Sequence, residues 1–327
     1  MKDILNRISD LNIVVIGDIM LDHYIIGDAN RLSPEAPVPV VAVDNDKYVL
    51  GAAGNVAVNI AQLGASVEVV GKIGHDRFGG YADGLLKKHG ILHDSRLCCG
   101  GVKTISKTRI VVRGQQLCRV DREDKKQQYL LCEDDIIQSV CEKIKCSDAV
   151  ILSDYAKGSL SNDNVKLFID TANKYNTFIS VDPKPSNRLL FNDASLMTPN
   201  KQEAYELVGL SSSDYENVAI NDVCKSIIEK YSPKYLVITM GPDGMLIRDH
   251  DGNIKQIPTY AREVFDVSGA GDTSIACLTL ALSAGESLMR AATFANIAAG
   301  IVVGKHGTAT VSIDEMMNCE HMEMFNL

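Results

Sequence analysis

The stretch DVSGAGDTSIACLTLAL, Asp266 to Leu282, puts Gly269, Ala270 and Gly271 beside an acid, Asp272, at the edge of an apolar run. After Asp272, the apolar residues Ile275, Leu278 and Leu282 recur at helical spacing, so the small residues fall at a helix start. Several backbone N–H groups at such an end have no partner within the helix, and with the helix dipole they attract anions. Acids are also favoured in a first turn as plain caps. These residues alone fit a capped helix and a phosphate site equally well. Two other stretches have the same double reading. In TPNKQEAYEL, Asn200 and Glu203 stand three apart at a helix start, the spacing of a capping box. In TMGPDG, Thr239 to Gly244, two glycines after an apolar run form a turn or let a backbone approach a ligand.

Several chemistries are excluded. The turn after the first apolar run reads GDIMLD, with no GxGxxG dinucleotide fingerprint. GIVVGKHG, Gly300 to Gly307, is one residue short of a P-loop, has His306 where Ser or Thr belongs, and follows an apolar helical pattern. Nine cysteines occur without a CxxC pair, and seven histidines without HExxH or paired zinc spacing. A net charge of −9 opposes general nucleic-acid binding, yet leaves room for a small phosphorylated ligand in a local basic pocket. No apolar run approaches the length of a membrane span, and the charged N-terminus MKDILNRISDLN has no signal-peptide core, so a cytoplasmic protein is expected.

The elements that must position these residues alternate along the chain. Asn12–Asp18, Ser66–Gly74, Ala149–Tyr155, Thr177–Pro183 and Tyr235–Gly241 read as buried strands. Asn55–Leu63, Arg77–His89, Asn164–Tyr175 and Val218–Lys230 read as helices. This pattern predicts an α/β fold, a mostly parallel sheet with helices on both faces, as a single domain over residues 1–327. Ligands of such sheets collect beyond the carboxyl ends of the strands, where Asp18, Asp22, Asp154, Asp182, Gly241 and Gly244 cluster. Two stretches, about 24–49 and 101–121, break the alternation and predict a small β-flap or lid. The plainer alternative is two surface hairpins without a role.

With these pieces side by side, the chain resembles the ribokinase-like (PfkB-type) carbohydrate kinase family. The resemblance rests on GAAGNVAVNIAQLGA, Gly51 to Ala65, and on DVSGAGD, and it runs over essentially the full length. The segments GDIMLDHY, RLSPEAPVPVV, RGQQLCRVD, LSDYAKG, VDPK and ANIAAGIVVGKHGTATVS are similar to the branch that phosphorylates D-glycero-β-D-manno-heptose 7-phosphate at O1, towards ADP-heptose for the lipopolysaccharide core.

The resemblance implies ATP and Mg²⁺, with Asp272 as the base and the N–H groups of Gly269, Ala270 and Gly271 as an anion hole. It implies that Asn200, Lys201, Gln202 and Glu203 lie at the ATP phosphates, with Glu203 holding Mg²⁺ through water. Thr239, Gly241 and Gly244 would form the nucleotide turn, and Asn296 would lie against adenine. On the sugar side it implies Asp22 and Asn55, with Asp18 sharing their task. The acceptor's phosphate would draw on Arg109, Arg113, Arg119, Lys157 and Lys184. Arg109, Arg113 and Arg119, four and six apart, are expected to project from one face of an extended strand or else to pair with Asp121, Glu123 or a partner subunit. A homodimer through the flap is implied by the same resemblance. With no H-x-G-H signature, a separate nucleotidyltransferase is expected for the adenylyl step. That branch's usual Gly-Gly-Ala-Ala-Asn stands here as Gly51-Ala52-Ala53-Gly54-Asn55, and the Ala52 methyl is expected to hinder sugar approaching the backbone. A kinase for another sugar, such as ribose or fructose, and a catalytically silent sugar or nucleotide sensor are the alternatives.

Overall fold

A computed structural model describes residues 1–249, 251–261 and 263–319; residues 320–327 of the expected single domain lie outside it. Its backbone is a nine-stranded sheet. From one edge to the other the strands are Ile254–Ile257, Met245–Arg248, Tyr235–Thr239, Leu196–Met197, Phe178–Asp182, Ala149–Ser153, Asn12–Gly17, Ser66–Val70 and Leu92–His93. All neighbours pair parallel except the two contacts made by Met245–Arg248, which are antiparallel. That edge hairpin was not read from the sequence, because four-residue strands carry too little alternation to stand out.

Apolar residues on successive positions of one strand serve opposite faces. Ile13 and Val15 join the core formed with helices Ala53–Gln62, Ala270–Ser283 and Leu288–Val303. Val14 and Ile16 join the core formed with Asp134–Cys146, Asn162–Tyr175 and Ile220–Tyr231. Helices therefore cover both faces.

The expected strand Ser66–Gly74 ends at Val70, and Ile73–Gly74 pairs with Cys98–Cys99 instead. Gly71 passes so close to the first strand that a Cβ there would lie 2.2 Å from the Gly17 carbonyl oxygen. The chain must turn away at this point.

A second, four-stranded sheet has the order Pro39–Ala52, Ile19–Leu32, Ile105–Val112, Gln115–Arg122. Asp18 joins the two sheets, since it separates the strand ending at Gly17 from the one starting at Ile19. The hairpin between Val112 and Gln115 turns on Arg113 and Gly114, at φ 51° and 79°. A two-residue turn with both φ positive suits the twist of a hairpin. Arg113 is therefore a turn residue, off the strand face it was expected to share with Arg109.

Ala52 also has positive φ, 54° with ψ −131°, a conformation that favours glycine. Its methyl packs in a small cluster with Met20, Ile105 and Tyr129. It fills a core instead of obstructing a ligand, contrary to the expectation.

Candidate active site

Gly269 caps the helix Ala270–Ser283 in the left-handed region, φ 85°, and a side chain here would meet Asn55 Nδ2 at 2.8 Å. The Ala270 N–H donates to the Val267 carbonyl at 3.2 Å, so this member of the expected anion hole is already engaged. The N–H groups of Gly271 and Asp272 have no backbone acceptor among the described residues, and nothing lies within 4 Å of where a Gly271 side chain would stand. The helix start is open, with donors directed outward.

Asp272 is buried, yet both carboxylate oxygens are held. Tyr155 donates its hydroxyl to Oδ1 at 2.6 Å, and Asn55 donates Nδ2 to Oδ2 at 2.7 Å. Burial pushes this carboxyl up to about 6, and the Asp22 charge adds to the rise; the two hydrogen bonds and the Lys107 charge oppose it. A carboxylate poised near neutrality can take a proton at physiological pH and release it again. Burial and the Asp272 charge hold the Tyr155 phenol well above its ordinary range, which keeps it a donor.

The sugar-side residues separate into two groups. Asp22 is buried and faces the Asp272 end, accepting from Thr308 Oγ1 at 3.1 Å and from Arg109 Nη1 at 2.5 Å. Asp18 does not share this role. Its Oδ2 accepts the N–H groups of Tyr155 and Lys157 at 3.1 and 2.9 Å, and its Oδ1 that of Ser159 at 2.9 Å. Those three bonds commit the carboxylate to the loop that presents Tyr155.

The nucleotide-side residues converge through backbone pairing. Asn200 and Thr239 form an isolated parallel bridge. The capping box is complete: Asn200 Oδ1 accepts from the Glu203 N–H at 2.9 Å, and Glu203 Oε2 accepts from the Asn200 N–H at 3.0 Å. Gly241 and Gly244 both have positive φ, and a Cβ on Gly244 would fall 2.0 Å from the Ile257 carbonyl oxygen. Asn296 donates Nδ2 to the next carbonyl, that of Pro258, at 2.7 Å. Lys201 lies over the Tyr215 ring and Gln202 bonds Glu206, so these two side chains serve their own surroundings.

Each of the candidate phosphate-binding cations has an acidic partner. Arg113, exposed at the hairpin turn, pairs with Asp28 at 2.8 Å. Arg119 pairs with Asp121 at 2.8 Å and Lys157 with Glu123 at 2.5 Å. Lys184 donates to Glu203 Oε1 at 2.8 Å, which puts it with the nucleotide-side residues instead of the sugar side. Burial opposes its charge, but the bond to Glu203 prevails and holds Lys184 above its ordinary range. Beside this pair, burial and the charges of Glu203 and Asp272 push Asp182 well above the usual carboxylate range. Among the described residues no three His, Cys, Asp or Glu side chains converge on one point as a direct metal cage. The acidic donors fit an ion held through water.

Residues 10–316 match the family described as pfkB family carbohydrate kinase. The chain belongs to that family. Its relatives include proteins named "Bifunctional protein HldE". That of Sulfurimonas denitrificans is 41% identical over 94% of this chain and 64% of its own length. That of Coxiella burnetii is 41% identical over 94% and 63%, and that of Campylobacter fetus 38% identical over 94% and 66%. The chain thus spans a little under two thirds of the curated relatives it matches. Among solved structures, phosphofructokinase-2 from Escherichia coli superposes with a TM-score of 0.75 at 20% identity, covering 97% of this chain and all of that one. Arabidopsis thaliana ribokinase, solved with ribose and ATP, superposes at 0.72 and 16% identity, covering 97% and 99%. These likenesses establish the ribokinase-like fold.

Sequence reasoning did not single out Tyr155 and Thr308, which bond Asp272 and Asp22. Tyr155 follows the carboxyl end of a central strand, a position where ligand-facing residues are expected. Thr308 had no local signal.

Proposed function

We propose that this carbohydrate kinase transfers the γ-phosphoryl group of ATP to O1 of D-glycero-β-D-manno-heptose 7-phosphate, giving the 1,7-bisphosphate. The observation that carries the reading is the Asp272 carboxylate: buried, held by Tyr155 and Asn55, and set in an open helix start opposite a flap that carries basic residues. The segments similar to the heptose-phosphate branch and the relatives named HldE support the choice of acceptor.

In the transfer, the acceptor O1–H bond breaks as the proton moves to Asp272, and O1 bonds to the γ-phosphorus. The bond from that phosphorus to the β–γ bridging oxygen breaks, and ADP leaves. The N–H groups of Gly271 and Asp272 face the charge on the moving phosphoryl. Asp22 orients the sugar, and Thr239, Gly241, Gly244 and Asn296 line the path to the nucleotide. Mg²⁺, held through water by Glu203, would neutralise phosphate charge. The same reading puts a second copy of the chain against the flap's outer strand, Gln115–Arg122, which is exposed at every residue.

The test is phosphorus NMR of a mixture of heptose 7-phosphate, ATP and protein. A new anomeric phosphate signal is expected, lost with Asp272→Asn. ADP release with another sugar but not with the heptose phosphate would overturn the assignment.

A further inference from the structure

The inner face of the flap carries more positive charge than its acids neutralise. Register sets Lys107 beside Asp22 and opposite Asp121, and Arg109 beside Tyr24 and opposite Arg119. Cross-strand partners share a face, so these six residues look the same way. That face is the one turned to the active site, because its Asp22 bonds Thr308 and its Lys107 charge reaches Asp272.

Three of the four cations gathered here have acidic partners: Arg109 has Asp22, Arg119 has Asp121, and Lys157 has Glu123. Lys107 is half-buried and has no hydrogen bond or ion pair among the described residues. A half-buried ammonium with no ion pair, whose neighbouring acids Asp22 and Asp121 are already taken by Arg109 and Arg119, gains when an anion joins it. Burial, with the charges of Lys157, Arg109 and Arg119, holds its amine below the ordinary lysine range, against the pull of Asp22.

We propose that Lys107 is the specificity-determining residue that receives the phosphate already carried by the acceptor sugar, with Arg109 and Lys157 turning to the same anion. This rests on the kinase reading above and deepens it by naming the phosphate's anchor. A phosphate monoester is the ligand this set suits. Its charge offsets the excess of cations, and its oxygens take donors from several directions, as a lysine and a neighbouring guanidinium supply them. Arg113, on the hairpin turn with Asp28, is outside the set.

The experiment measures both Michaelis constants for Lys107→Met, Lys107→Arg and Arg113→Met, with heptose 7-phosphate and ATP as substrates. Lys107→Met should raise KM for the heptose phosphate about tenfold or more, near the loss of one charged hydrogen bond. Its kcat and its KM for ATP should stay within about twofold, its melting temperature should not fall, and Lys107→Arg should restore most of the affinity. Arg113→Met should resemble the wild type. An unmoved KM, equal rises for both substrates, or a fall in kcat alone would overturn the proposal; the last would put Lys107 at the reacting centre. A wild-type protein that makes no bisphosphate would instead overturn the kinase assignment, whatever the variants do.

Discussion

At the scale of single residues, the functional weight falls on how Asp272 is held. A buried carboxyl raised to about 6 is ionised above that pH and protonated below it, so the rate should fall below about pH 6 as the base is lost. Tyr155 donates to this carboxylate and so favours its ionised form. Removing the phenol hydroxyl in Tyr155→Phe should raise the Asp272 pKa further. A hydrogen bond to a charged group is worth about 1.5–3 kcal/mol, or roughly one to two pH units. The acid limb of kcat/KM should move up by about that much, with turnover within a few-fold of wild type on the alkaline side. A uniform loss at every pH with an unmoved limb would show that Tyr155 acts on the substrate instead. In Asp272→Asn the base itself is gone, and a fall of about 10²–10⁴ in kcat at all pH values is expected.

At the scale of elements, the short helix Lys201–Leu207 does two jobs that a single substitution can separate. Glu203 closes the capping box with Asn200 and also pairs with Lys184. Gln at this position keeps an oxygen for the Asn200 N–H, so the cap survives. It removes the negative charge beside Asp182 and Lys184. Glu203→Gln should therefore raise the Mg²⁺ concentration for half-maximal rate several-fold, with little change in melting temperature. A Mg²⁺ titration that superposes on the wild type would leave Glu203 as a cap alone. The loop after Ala149–Ser153 is positioned in a comparable way: three N–H groups of residues 155–159 rest on the Asp18 carboxylate, and this aims Tyr155.

At the scale of the whole molecule, the carboxyl ends of the parallel strands gather acids that folding must bury. Asp154 is raised from 3.8 to about 6, chiefly by burial and also by the Asp18 charge, while bonds from Ala156 and Asn187 oppose the rise. Its Oδ1 accepts both of those bonds, and its Oδ2 is buried with no hydrogen-bond partner among the described residues. A folded pKa above the unfolded one means that ionised Asp154 opposes folding. The penalty is absent below about pH 4, grows up to about pH 6 and is constant above. Near 1.4 kcal/mol per pH unit, it amounts to roughly 3 kcal/mol. Asp154→Asn keeps the Oδ1 acceptor and has no charge, so it should stabilise the protein by up to about that amount at pH 8 and by little at pH 4. Urea unfolding at the two pH values checks this, and an equal effect at both would refute it.

Local chemistry made part of this protein readable from its sequence. Alternating strand and helix periodicities announced the parallel sheet, and the small residues before Asp272 marked a helix start. Such features depend on residues a few positions apart, which one chain segment carries complete. The pairings that make the site depend on sheet order and register instead. Asn55 reaches Asp272 across 217 positions, Tyr155 across 117, and Arg109 reaches Asp22 across 87. Only the folded backbone could show that Arg113 turns away, that Asp18 is consumed by a loop, that Lys184 joins Glu203, and that Lys107 makes no ion pair among the described residues. Each outcome follows from which strands lie side by side, and no segment encodes that alone.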